Sequence, residues 1–238
     1  MAVKQPHDAI LCHLVVQRLE REMRIMAATK HPNLVRFLGG VLDGQALSLQ
    51  APPLIILELL DTNLRTAYEQ GRVTEANKLT IFRDVAYALH YLHEYQEPII
   101  HRDVSSPNIL LESLPTGIWR AKLSDFGSAN LACLSITVGE GSFMYSAPEM
   151  FVASNSTSPV LQTTKVDVYS YGVLLSEVVA EKMPEPPNYR FQSLLPWVRA
   201  TWRAIHDLVI SCTKKSPGER PTMAAVIDIL CMVSLPTP

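Results

Sequence analysis

Asp103 and Asn108 stand five residues apart in the run His101-Arg102-Asp103-Val104-Ser105-Ser106-Pro107-Asn108, which closes onto the apolar segment Ile109-Leu110-Leu111. A carboxylate fixed in a loop can take the proton of a hydroxyl as that hydroxyl attacks phosphorus, while an asparagine and a second acid offer oxygen ligands to Mg²⁺. Asp125, in Asp125-Phe126-Gly127, is such a second acid. Taken together, these side chains read as phosphoryl-transfer chemistry. Singly, each is equally well explained as a loop cap or turn residue.

The surrounding elements must bring them together. Ala2-Val3-Lys4 reads as the end of a strand, and Leu14 to Ala28 as a helix with an apolar stripe at Leu14, Leu19, Met23 and Met26, stopped by His31-Pro32-Asn33. Two apolar runs, Leu34 to Leu38 and Leu54 to Leu57, read as strands on either side of a loop holding Asp43-Gly44 and Pro52-Pro53. Thr74 caps a long helix whose apolar positions Leu79, Phe82, Val85, Ala86, Leu89 and Leu92 share one face. Ile109 to Leu111 and Ala121 to Leu123 are short strands around the turn Pro115-Thr116-Gly117. Val166 to Val179 is apolar nearly all round, the mark of a helix buried in a domain centre, and Asp167 sits inside it. Pro184, Pro186, Pro187 and Pro196 mark an irregular connection, after which Arg220-Pro221-Thr222 opens a last amphipathic helix.

Bulk properties narrow the partners. A chain of 238 residues holds one domain of two lobes or two small domains, with 47% hydrophobic residues for a core. Its 21 basic and 23 acidic residues give no field that would draw nucleic acid or an anionic membrane surface. Cys12, Cys133, Cys212 and Cys231 lack the paired spacing of a zinc site, which favours reduced thiols, most of them acting as small core hydrophobes. No apolar run approaches the ~20 residues of a bilayer span, and no secretion signal opens the chain, so the expected location is cytoplasmic.

The ordered set His101-Arg102-Asp103 with Asn108, then Asp125-Phe126-Gly127, then Ala147-Pro148-Glu149 resembles the signature of the protein kinases over nearly the whole chain. The resemblance implies an α+β, two-lobed fold, with a partial small lobe over residues 1–60 and a mainly helical lobe over 61–238. It implies ATP and Mg²⁺ as cofactors and a protein substrate. Lys4 then matches the strand lysine that holds the α- and β-phosphates, and Glu22 the helix glutamate that pairs with it. A solvated helix face rich in charges (Arg18, Glu20, Arg21, Arg24) would explain Glu22 as well without that context. Glu58 to Leu60 match the hinge whose backbone groups hold the adenine edge, with Leu57 behind the pocket. Asp103 is implied as catalytic base, and Asn108 and Asp125 as metal ligands. Met26, Phe37, His101 and Phe126 match the apolar stack that joins the lobes. Asp167 is implied to bond the backbone of the catalytic loop, and Arg220 to pair with Glu149. Of Ser128, Ser135, Thr137, Ser142, Tyr145 and Ser146, Ser135 or Thr137 is the expected phosphorylation site, with Arg102 in a basic pocket that grips the phosphate.

Two departures qualify the resemblance. The pattern G-x-G-x-x-G that covers the phosphates in kinases is absent ahead of Lys4, which implies a truncated form of a longer kinase or a catalytically poor protein. Ser105 stands where serine/threonine kinases usually carry a lysine, and Pro107 where tyrosine kinases can carry an arginine, so less charge faces the transferred phosphate. The resulting expectation is a tyrosine-kinase-like serine/threonine kinase, with tyrosine specificity second, and a pseudokinase scaffold as the reading from another class.

Overall fold

The computed structural model describes residues 1–5, 13–41, 53–131, 143–155, 162–183 and 202–233. Near its start, strand β1 (Ala2–Lys4) pairs antiparallel with β3 (Leu54–Leu57), and β3 pairs antiparallel with β2 (Phe37–Val41), giving the order β1-β3-β2. Among the described residues β1 has a neighbour on one side only. Helix α1 (His13–Ala28) lies against this sheet with Leu19, Ile25 and Met26 buried. Gly40 permits the close approach, because a Cβ there would stand 2.2 Å from Met23 Cε and 2.8 Å from the Leu54 carbonyl oxygen.

The second strand differs from expectation. It runs over Phe37–Val41 rather than Leu34 to Leu38. The reason is a competing partner: Val35 N–H donates to the Leu123 carbonyl at 3.0 Å, Leu123 N–H donates to the Asn33 carbonyl at 2.8 Å, and Leu34 forms a lone parallel bridge with Leu123. Leu34 and Val35 are thereby drawn into the larger unit, and the chain is free to join the sheet only from Phe37.

The larger unit follows the sequence pattern closely. Short β4 (Thr62–Asn63) leads into α2 (Leu64–Glu69), whose first turn is closed by the Asn63 side chain accepting from Thr66 N–H at 2.9 Å. Helix α3 (Glu75–His93) begins at Thr74, whose hydroxyl accepts from Asn77 N–H; Glu75 lies in its first turn and His90 and His93 in its last, the placement that complements the helix dipole. All six apolar positions expected on its inner face are buried. Strands β6 (Ile109–Ser113) and β7 (Trp119–Leu123) form an antiparallel hairpin, with β4 beside β6. A two-residue pair, β5 (Ile99–Ile100) with β8 (Asn130–Leu131), has no sequence signal of its own and rests on the ends of longer segments.

Helix α4 (Pro148–Asn155) follows Ala147. At the centre, α5 (Lys165–Ala180) buries every residue from Val166 to Val178, in accord with its apolar circumference. Helices α6 (Arg203–Cys212) and α7 (Met223–Met232) complete the unit, α7 capped by Thr222, which accepts from Ala225 N–H. Asp43-Gly44, Pro52 and Pro184 to Pro196 lie outside the described residues, as do Cys12 and Cys133. Of the other cysteines, Cys212 is buried and Cys231 is exposed. No helix among the described residues is long and apolar enough to cross a membrane.

Candidate active site

The loop between β5 and β6 carries Asp103 and Asn108, and α5 fixes its shape. The Asp167 carboxylate is fully buried and accepts the backbone N–H of His101 at 2.8 Å and of Arg102 at 2.7 Å, while its Oδ2 also meets His93 Nε2 at 2.9 Å. Burial alone would push this acid up, but the bond to His93, the charge of the nearby histidines and the Arg102 N–H together hold it below the usual carboxylate range. Arg102, buried and at φ 68°, takes a left-handed conformation that an arginine seldom adopts, and the two bonds to Asp167 hold it there. The loop then closes on itself: Asn108 Nδ2 donates to the Asp103 carbonyl at 2.9 Å.

Asp125 joins this loop through its neighbours. Ser124 donates from both N–H and Oγ to the Asn108 carbonyl, at 2.9 and 2.8 Å, and the Ser124 carbonyl lies 3.0 Å from His101 Nε2. Phe126, fully buried, meets the His101 ring edge-on at 5.1 Å. Met26 shares the core with Phe126, and Phe37 packs half-buried against it. Asp125 takes a left-handed backbone (φ 61°, ψ 81°), and its Oδ1 accepts Gly127 N–H.

Lys4 brings the sheet to the same point. Its Nζ lies 2.7 Å from Glu22 Oε1 and 2.8 Å from Asp125 Oδ1, so one ammonium joins strand β1, helix α1 and the turn after β7. Burial would lower the Lys4 ammonium, yet Asp125 and Glu22 hold it above the ordinary lysine value. The two acids move oppositely. Burial pushes Glu22, almost wholly covered, above the usual range in spite of Lys4; for Asp125 the effect of burial is overcome by Lys4, Gly127 N–H and His101, and it falls below. The rival reading of Glu22 as a solvated surface acid is excluded by its 3% exposure.

The donor atoms suit Mg²⁺. Among the described residues the side-chain hydrogen bonds of Asp125 engage Oδ1 and that of Asn108 engages Nδ2, which leaves Asp125 Oδ2 and Asn108 Oδ1 as two hard oxygens on adjoining turns. No group of three or more His, Cys, Asp or Glu residues that could hold a metal occurs among the described residues, so the ion would take its remaining ligands from phosphate and water.

Just after β3, Glu58 N–H donates to the Arg36 carbonyl and its carboxylate bonds Arg36 N–H at 2.7 Å and Lys122 Nζ at 2.8 and 2.9 Å. Its side chain is thus committed to the strand that precedes Asp125. Leu59 is exposed and Leu60 half-buried.

At the far end of the segment, Arg220 and Glu149 form the expected pair, and Arg220 lies over the Tyr169 ring at 5.0 Å. Ser105, at the position where serine/threonine kinases usually carry a lysine, is buried. Ser135, Thr137 and Ser142 lie outside the described residues; Ser128 and Ser146 are half-buried and Tyr145 is buried. Sequence reasoning passed over one acid in this neighbourhood. Glu177 carries the same signal as Asp167, an acid inside the apolar run of α5, and it too is buried, accepting Ser106 Oγ from the loop that carries Asp103 and Asn108.

With this geometry in view, comparison with known proteins gives the family. The protein kinase domain model matches residues 1–230, and the chain belongs to that family. It is 30% identical to a probable serine/threonine-protein kinase of Dictyostelium discoideum over 95% of this chain and 22% of that protein. It is also 30% identical to the serine/threonine-protein kinase CTR1 of Arabidopsis thaliana, over 90% of this chain and 26% of that protein. A seven transmembrane domain-containing tyrosine-protein kinase of Dictyostelium is 30% identical over 88% of this chain and 31% of its own length. The chain therefore spans less than a third of each of these relatives.

Proposed function

We propose that this chain is the kinase part of an ATP-dependent, tyrosine-kinase-like serine/threonine protein kinase, with its lobes divided near Leu60. The observation that carries the reading is the junction of Lys4, Glu22 and Asp125 beside the loop that holds Asp103 and Asn108. Lys4, oriented by Glu22, holds the α- and β-phosphates. The backbone of Glu58 to Leu60 takes the adenine edge; since Glu58 N–H is already given to Arg36, its carbonyl is the group that serves. Asn108 and Asp125 hold Mg²⁺, which neutralises charge on the phosphates. Asp103 orients the substrate hydroxyl and accepts its proton, and positioning does the rest of the catalysis. Serine/threonine kinases among the relatives support that acceptor over tyrosine.

One observation favours a second reading, a scaffold that binds nucleotide without transfer. Ser105 puts a small, buried hydroxyl where the family usually has a cation. The two separate in one experiment on the full-length protein: nucleotide thermal shift with and without Mg²⁺, then transfer of labelled phosphate to a generic protein substrate with phosphoamino-acid analysis, beside Asp103→Asn. Label on serine and threonine, lost in Asp103→Asn, supports the enzyme. Equal, negligible transfer by both proteins means the scaffold.

A further inference from the structure

Two hollows share His31 as a common wall, where the turn after α1 meets α3 and the β6–β7 hairpin. The larger, of about 910 Å³, has Pro32, Leu34 and Phe37 in its apolar lining and Lys30, Arg36 and Glu58 among its polar walls. The smaller, of about 420 Å³, is lined by Tyr87, His90, Tyr91 and Tyr95. An extended chain is the shape of ligand that fills both. The wall between them is fixed in advance: Tyr91 OH accepts the Lys30 N–H at 3.1 Å, Tyr95 OH donates to the Ala28 carbonyl at 3.0 Å, and the Tyr91 ring stacks on His31 at 5.1 Å. A groove held by its own bonds loses little freedom on binding.

The charges along this groove are uneven. Both acids of the larger hollow, Glu58 and Glu112, lie against Lys122 Nζ, at 2.8 and 3.5 Å. Lys30 and Arg36 are exposed, and among the described residues their side chains make no ion pair or hydrogen bond. Two uncompensated cations thus stand beside apolar lining in a chain of net charge −2. Burial holds the His31 imidazole below its ordinary value, so it adds no charge at neutral pH. A second copy seated on this face across a two-fold axis would set these cations against their own kind, because the acids of the same patch are already taken by Lys122. A lone anion would leave the apolar lining wet. We propose that the groove docks an extended segment of a partner protein in which acidic residues flank a leucine or phenylalanine. The carboxylates pair with Lys30 and Arg36, and the apolar side chain rests against Pro32 and Phe37. This docking does not depend on whether the chain transfers phosphate.

Selection from a displayed library of random peptides tests it, run on the full-length protein as wild type, as Lys30→Glu with Arg36→Glu, and as Lys30→Gln with Arg36→Gln. Wild type is expected to enrich sequences with acidic residues on both sides of a leucine or phenylalanine. The peptide so found, synthesised with a fluorophore, should bind the glutamine variant about three- to tenfold more weakly and the glutamate variant at least about tenfold more weakly. Its affinity for wild type should fall as NaCl rises, with a shallower fall in both variants. If charge reversal lowers the thermal midpoint, the neutral glutamine variant carries the comparison. Enrichment of basic or purely apolar sequences, no enrichment, or equal binding to all three proteins would each overturn the proposal. So would a wild-type dimer in sedimentation that the glutamate variant dissociates, since a second copy would then occupy the groove.

Discussion

Arg220 and Glu149, 71 residues apart, meet in a two-point ion pair, Nη1 to Oε1 at 2.6 Å and Nη2 to Oε2 at 2.7 Å. The Arg220 side chain is fully covered, its remaining N–H groups going to the carbonyls of Lys214, Lys215 and Lys165. Replacing Glu149 with alanine leaves that guanidinium buried without its anion, so the loss should be large, about 3 to 5 kcal/mol in urea unfolding. Arg220→Met with Glu149→Leu should cost clearly less than the sum of the singles, since no charge is then stranded. Additive losses would show that the pair is no more than packing.

Asp167 gives a pH-dependent prediction. Its carboxyl lies below the usual range in the folded protein and near 4 in the unfolded chain. A depressed folded value means stabilisation that is complete above the unfolded value and disappears as pH falls through the folded one. Asp167→Asn should therefore be destabilised by a constant amount from pH 7 down to about 5, and the gap to wild type should narrow below about 4. Urea titrations of both proteins at each pH cancel the contribution of the other acids. A gap that stays level to pH 3 would mean that the carboxylate charge contributes nothing.

Much of the site could be read from residue order, because each motif packs its chemistry into a few neighbours: Asp103 with Asn108, Asp125 with Gly127. The helices were legible for a similar reason, as caps and apolar faces are local; Thr74 and the inner face of α3 show it. What failed was a choice between distant partners. Leu34 and Val35 look like strand residues and do make strand-type bonds, but to Leu123, almost ninety residues on, so the sheet strand starts at Phe37 instead. Arg65, Tyr68 and Ser106 carry no pattern at all until α5 brings Glu177 among them. Their grouping is a product of tertiary packing and has no sequence period.

Gly172 tests the packing of that central helix. A Cβ at this position would stand 2.7 Å from Cys212 Cβ and 2.9 Å from Thr213 Cγ2, so α6 crosses α5 at the closest approach a glycine allows. Gly172→Ala should gain up to about 1 kcal/mol of helix propensity. The overlap is with a Cβ atom held by its backbone, which cannot swing away, and such overpacking typically costs about 1 to 3 kcal/mol. The net result should be a lower thermal midpoint. A variant as stable as wild type would mean that α6 can slide outward without loss.

Lys4 separates nucleotide binding from folding. Lys4→Met removes the cation shared by Glu22 and Asp125 and leaves the almost fully buried Glu22 without its partner, so the protein should melt lower and also lose its response to Mg²⁺-ATP. The two effects have different causes. Adding Glu22→Leu removes the stranded acid and should restore part of the melting temperature, because an apolar side chain suits the site that Glu22 vacates. It restores no group that can hold phosphate. The double variant should therefore be more stable than Lys4→Met and equally blind to nucleotide, as read by thermal shift across an ATP titration at fixed Mg²⁺. Recovery of the nucleotide shift in the double variant would show that Lys4 acts only as a structural tie between β1 and α1, and that the phosphates are held elsewhere.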